Sequence, residues 1–300
     1  MWQELLRELT AGNRKALARS ISLVENEREG YLQFLASLPL KTAPVIGLTG
    51  PPGAGKSTIV DGLIAQITKE GKTVAVLCVD PSSPFHLGAV LGDRIRMSQW
   101  YTHPQVFIRS LASRGALGGL HPKILELTGL LQAAAFDYIL VETVGVGQSE
   151  VEIAGLADVT VVALVPEGGD EVQTMKAGLM EIGNIFVVNK SDRPGADAYV
   201  GNLRLMLAPA FQGHRADIPV IKTVASEGQG LPELFAAIRG QLQAGRQNDR
   251  HFWLLAERAY QLIQKARMQD VSKARLKEAI QQAALDGPFN LYQFIHTFSQ

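Results

Sequence analysis

Gly50-Pro51-Pro52-Gly53-Ala54-Gly55-Lys56-Ser57 has the spacing G-x-x-x-x-G-K-[ST], and the chemistry of that spacing is the grip on a polyanion. Glycines let the backbone curl so that successive N–H groups converge on phosphate oxygens. A helix opening here adds the positive end of its dipole. Lys56 then brings a formal charge to the β- and γ-phosphates and Ser57 a hydroxyl for Mg²⁺, with Thr58 closing the same nucleotide-binding stretch.

A second group of residues reads a base. Asn189-Lys190-Ser191-Asp192 has the form N-K-x-D, and the Asp192 carboxylate can accept from both N1–H and the exocyclic amine of guanine, donors that adenine lacks in that arrangement. Asn189 and Lys190 would brace the loop and cover the base plane. Thr223-Val224-Ala225 follows the last strand-like run and could place the Ala225 N–H near the base oxygen. The expected ligand is therefore GTP or GDP rather than ATP.

Asp80, Asp93 and Glu142 lie between these anchors at or after apolar runs. Mg²⁺ keeps several waters and takes one or two carboxylates beside phosphate oxygens, so with Ser57 they form the expected metal set. Asp80 could equally serve turn chemistry before Pro81, and Asp93 could cap a helix. Glu142-Thr143-Val144-Gly145 stands where many nucleotide hydrolases carry D-x-x-G, which makes Gly145 the candidate sensor of the γ-phosphate. Lys56, Asp93 and Glu142 are the candidate catalytic groups. Arg94, Arg96, Arg109, Arg114 and Lys176 are cations available for transition-state charge, each open to a plainer reading as a solvated or ion-paired side chain. Gln148 could orient water.

These groups need a scaffold that brings strand ends to one rim. Short apolar runs near 45–48, 73–79, 106–109, 138–141, 159–165, 185–188 and 219–222 alternate with helix-like stretches. That pattern predicts an α/β fold with a mainly parallel sheet flanked by helices, binding its ligand beyond the carboxyl ends of the strands. Helical spacing over residues 1–40 predicts an N-terminal extension. The nucleotide domain is expected over 41–245, followed by a C-terminal helical extension over 246–300. In that tail Phe252, Leu255, Ala259, Leu262 and Ala266 share a face, suited to packing on the chain's own domain or to a dimer contact.

Composition narrows the classes. At 46% hydrophobic, the 300 residues can bury a substantial core. Lysine plus arginine equals aspartate plus glutamate at 29 each, so no net field draws the chain to nucleic acid or to an anionic membrane. Neither a secretory signal nor an apolar run of membrane-spanning length is read. Cys78, the single cysteine, sits in an apolar run; no internal disulfide can form, and a cytoplasmic setting is expected. The six histidines show no metal-ligand spacing.

The phosphate loop, Val79-Asp80-Pro81-Ser82-Ser83-Pro84, Leu91-Gly92-Asp93-Arg94-Ile95-Arg96-Met97, Phe107-Ile108-Arg109-Ser110, Glu142 through Glu150, and Asn189-Lys190-Ser191-Asp192 together resemble the MeaB/ArgK family of P-loop GTPases of the SIMIBI class. The resemblance runs from the N-terminal helices to about residue 240. It implies a Mg²⁺-dependent GTPase acting as metallochaperone to an adenosylcobalamin-dependent acyl-CoA mutase such as methylmalonyl-CoA mutase, gating cofactor delivery and releasing damaged cofactor. It also implies a homodimer through a C-terminal arm. By that resemblance Gly168-Gly169-Asp170-Glu171-Val172-Gln173 through Lys176 is an additional switch, although the same residues also suit a helix start. Val224 departs from the family's T-S-A base loop. Three other readings stay open: a nucleotide-dependent kinase or ATPase linked to basic amino-acid transport, a metal-insertion GTPase, and a scaffold that holds nucleotide without hydrolysing it.

Overall fold

The computed structural model describes residues 1–80, 97–112, 120–144, 151–166, 177–208, 218–245, 249–268, 271–285 and 287–298. Seven strands form one sheet: β1 (Val45–Thr49), β2 (Val74–Asp80), β3 (Val106–Ala112), β4 (Tyr138–Glu142), β5 (Val159–Leu164), β6 (Ile185–Val188) and β7 (Val220–Lys222). Their order is β3-β2-β4-β1-β5-β6-β7, and every pairing is parallel. Each apolar run named above became one of these strands. Their continuity follows from double-sided burial. In β5, Val161 and Ala163 join one core, and Val162 and Leu164 join another on the opposite face; in β6, Ile185 and Val187 part from Phe186 and Val188 in the same way.

Nine described helices lie within the unit Met1–His251 before its last residues. These are α1 (Trp2–Thr10), α2 (Arg14–Glu25), α3 (Tyr31–Ala36), α4 (Lys56–Lys69), α5 (Ile124–Ala133), α6 (Val151–Leu156), α7 (Ala177–Ile182), α8 (Ala196–Leu207) and α9 (Leu231–Ala244). Helix α4 buries Ile59, Val60, Leu63, Ile64 and Ile67 against one face of the sheet, with Leu234 and Ile238 of α9 in the same core. A missing side chain at Gly62 lets Leu231 approach, since a Cβ there would lie 2.1 Å from its Cδ1. On the other face α6 sits over β1, where a Cβ on Gly47 would come within 2.5 Å of Ile153.

The N-terminal extension is helical as expected. Asn13 caps α2 by accepting from the N–H groups of Lys15 and Ala16 at 2.9 and 3.1 Å. Both α2 and α3 pack on α5. Trp2 stacks on Phe34 and donates to the Glu29 carbonyl, which closes the three helices on one another.

A second compact unit spans Phe252–Gln300. Its helices are α10 (Asp249–Arg267), which begins just before the unit, α11 (Lys273–Leu285) and α12 (Leu291–Phe298). Ser272 caps α11 and Asn290 caps α12 through their side-chain oxygens. The stripe Phe252, Leu255, Ala259, Leu262 and Ala266 is helical but contains no buried residue, and neither α10 nor α11 buries any side chain. Among the described residues no helix is long and apolar enough to cross a membrane.

Candidate active site

Strand β1 is central, and its carboxyl end runs directly into the glycine-rich loop. Gly50 takes φ 135°, and a Cβ there would lie 2.1 Å from the Ala163 carbonyl oxygen of β5. Only glycine passes that point. Gly53 also has positive φ, but among the described residues nothing lies within 4 Å of where its side chain would stand. Helix α4 then opens at Lys56, and the N–H groups of its first turn have no carbonyl four residues back inside the helix.

Lys56 is buried, and its ammonium donates to the carbonyls of Gly50 (2.8 Å) and Pro51 (3.1 Å). A cation is thereby held across the mouth of the loop. One residue on, the Ser57 hydroxyl donates to Glu142 Oε1 at 2.7 Å, both side chains being buried. Glu142 ends β4, the strand beside β1, in register with Leu48. Two hard oxygen donors thus meet beside the loop. No trio of His, Cys, Asp or Glu suited to a metal exists among the described residues, whereas an ion that keeps most of its water and shares phosphate oxygens needs only such a pair. The Ser57 and Glu142 pair therefore fits Mg²⁺.

The base-reading motif follows β6. Asn189 is buried, its amide donates to the Ala54 carbonyl of the phosphate loop at 2.9 Å, and its Oδ1 accepts from Thr223 Oγ1 (3.0 Å) and the Ala225 N–H (3.1 Å). One side chain thereby joins the phosphate loop, the N-K-x-D turn and the loop after β7. It also accounts for Gly55, where φ is 86° and a Cβ would stand 2.3 Å from Asn189 Nδ2. Lys190 adopts φ 56°, unusual for a residue with a side chain. Ser191 is tied to the Thr223 carbonyl by both its N–H and its hydroxyl. Asp192 follows at the exposed rim.

Lys56, Ser57, Glu142, Asn189, Ala225 and the loop glycines are thus gathered at the carboxyl ends of adjacent strands. The Ala225 N–H, read from the sequence as a base contact, is engaged by Asn189 here. Asp80 is the last residue of β2, with its side chain outside the described set. Asp93, Gly145, Gln148, Arg94, Arg96, Arg114 and the 168–176 segment lie outside the described residues. Arg109 does not reach the loop. It lies in the edge strand β3, bonded to Glu25 Oε2 at 2.6 Å and to Ser22 at 3.2 Å, both on α2. Two links had no motif to announce them: Thr143 Oγ1 donates to Thr49 Oγ1 at 3.1 Å, and Asp61 of α4 accepts from Trp100 Nε1 at 2.6 Å and from Gln99.

A phosphate loop on the central strand of an all-parallel seven-stranded sheet, tied through an asparagine to an N-K-x-D turn, defines a P-loop GTPase. Comparison with known proteins refines the class. The chain belongs to the MeaB family: the model described as "Methylmalonyl Co-A mutase-associated GTPase MeaB" matches residues 17–280, reaching past residue 240 into the C-terminal helices. A Pyrococcus abyssi (strain GE5 / Orsay) protein bearing a GTPase name is 49% identical over 244 residues, covering 80% of this chain and 75% of its own. GTPase ArgK of Escherichia coli K12 is 36% identical over 271 residues, covering 84% and 82%. The crystal structure of a LAO/AO transport system kinase superposes with a TM-score of 0.66 at 27% identity, covering 99% of this chain and 96% of that one.

Proposed function

We propose that this GTPase is Mg²⁺-dependent and serves an adenosylcobalamin-dependent acyl-CoA mutase, using the nucleotide to gate delivery and replacement of that enzyme's cofactor. The observation that carries the nucleotide half is the Asn189 side chain on the Ala54 carbonyl, because it makes the phosphate loop and the base-reading turn one site. The mutase half is supported by the description of the matching family model.

In this reading the loop amides and the Lys56 ammonium bind the triphosphate and stabilise charge as the terminal phosphoryl group passes to water, giving GDP and phosphate. Ser57 and Glu142 would hold Mg²⁺, which would supply charge neutralisation at the phosphates, with Asp80 and Asp93 as further candidates for its water shell. Thr58 adds a first-turn N–H. Gly145 senses the γ-phosphate, and Lys190 and Asp192 complete the guanine pocket with Ala225, whose N–H is shared between Asn189 and the base oxygen. The nucleotide domain is assigned to 41–245, between a helical extension over 1–40 and a dimerisation arm over 246–300. The working compartment is the cytoplasm.

Phosphate release from GTP, measured with and without a cobalamin-dependent mutase, tests this reading together with co-purification of the two proteins in GDP and in a non-hydrolysable GTP analogue. Lys56→Ala should abolish triphosphate binding. A mutase that neither co-purifies nor changes turnover removes the chaperone role. The kinase name borne by the structural relative favours a second reading as a nucleotide-dependent kinase, in which case ATP should displace bound GDP as well as GTP does.

A further inference from the structure

Strands β1 and β4 run side by side until Leu48 faces Glu142, and the Thr143 N–H closes the ladder on the Leu48 carbonyl at 3.0 Å. Beyond that point the backbone pairing must end, because β1 turns away at Gly50. The separation is bridged by side chains instead. Thr143 Oγ1 donates to Thr49 Oγ1 at 3.1 Å, with the two residues 2% and 0% exposed.

The placement of this bond closes a circuit. From Thr49 the chain runs through the phosphate loop to Ser57; Ser57 donates to Glu142 at 2.7 Å; Glu142 is the chain neighbour of Thr143; and Thr143 returns to Thr49. Among the described residues the hydroxyl bond is thus a further tie between the loop and the carboxylate, beside the strand ladder and the Ser57 bond. Packing does not call for hydroxyls there. Valine has nearly the same shape, and a buried hydroxyl costs free energy unless a partner accepts or donates to it.

We infer that Thr49 and Thr143 are positioning residues that hold the Glu142 carboxylate at the distance from Ser57 at which both oxygens bind one divalent cation. The inference rests on the proposed reading of Ser57 and Glu142 as the magnesium pair. Neither threonine is a catalytic residue, and neither need touch nucleotide.

Release of a fluorescent GDP analogue from the full-length protein, followed against Mg²⁺ concentration, gives a readout independent of turnover. Thr143→Val and Thr49→Val should each raise the half-saturating Mg²⁺ about fivefold, the order of one neutral hydrogen bond. Analogue affinity in EDTA should stay at the wild-type value. Because both substitutions break one bond, the double variant should cost no more than either single one, and Thr143→Ser should restore the wild-type response. Thermal melts of all variants separate this from loss of structure: a lowered melting temperature with an unchanged Mg²⁺ midpoint assigns the pair to stability alone and overturns the inference. Ser57→Ala serves as the reference. If it shifts the midpoint and the threonine variants do not, the positioning role fails while the magnesium pair stands. If Ser57→Ala leaves the midpoint unmoved, both fall together.

Discussion

Lys56, Ser57 and Asn189 are polar residues placed where burial makes them expensive unless each is bonded, and the structure bonds each to the loop or strand end it would serve. Asn189 is the most connected, spanning three loops with one amide. Gly55 is the cost of that contact, which leads to a sharp expectation. Gly55→Ala places a methyl 2.3 Å from Asn189 Nδ2 in a backbone conformation with φ 86°, so it should push the asparagine off the Ala54 carbonyl. Guanine-nucleotide affinity by calorimetry should fall by on the order of 100-fold, the scale of losing a buried bond and straining the turn together. Asp192 differs because it is exposed at the rim. Asp192→Asn should leave the melting temperature within about 1 °C and lower GTP-over-ATP selectivity by on the order of 100-fold; unchanged selectivity in a competition assay would remove it from the base pocket.

At the element scale, one device recurs along the lower edge of the sheet, opposite the site. The residue just before β4, Asp137, accepts from the Thr73 N–H ahead of β2 at 2.8 Å. The residue before β5, Asp158, accepts from the Val45 N–H that starts β1 at 2.7 Å. The residue before β6, Asn184, accepts from the Thr160 N–H of β5 at 2.7 Å. Each pins the start of a strand to its neighbour and so sets the register on which the upper rim depends. Burial alone would raise the Asp137 carboxyl, but the Thr73 N–H and hydroxyl and the Lys72 ammonium together hold it below the ordinary aspartate range. A folded pKa below the unfolded one contributes stability that is complete above the unfolded value and is lost as pH falls through the folded value. Asp137→Asn should therefore lower stability by about 1 kcal/mol near neutrality, with the difference shrinking toward zero in acid. Urea denaturation at a series of pH values checks this, and a pH-independent difference would contradict it.

At the scale of the whole molecule, the two units differ in how they use apolar residues. The unit Met1–His251 encloses a doubly covered sheet, whereas α10 and α11 bury nothing, and Trp253 and Phe252 are 77% and 63% exposed. Exposed aromatic side chains of this kind suit an interaction surface, in keeping with the proposed homodimer. Trp253→Glu should weaken self-association in sedimentation equilibrium by about 30-fold, the effect of losing an aromatic anchor worth about 2 kcal/mol. GDP affinity should be retained. Identical sedimentation of variant and wild type would remove this helix from the proposed dimer contact.

The seven strands were legible because parallel strands buried on both faces must be apolar runs bounded by turns, and the phosphate loop because its glycines, lysine and serine stand at fixed spacing in one short stretch. Those are local constraints, and they are written in consecutive residues. The sequence also pointed to the nucleotide class, through the N-K-x-D spacing of Asn189 and Asp192. It did not determine which of five candidate cations is free, and the structure removes Arg109 by placing it against Glu25, 84 residues away in the chain. The links from Asn189 to Ala54 and from Thr143 to Thr49 span 135 and 94 residues. Such contacts exist only once strand order sets β4 and β5 on either side of β1. A local pattern does not specify that order, because it is set by how segments distant in the chain connect and pack, through short, uncrossed and right-handed crossovers.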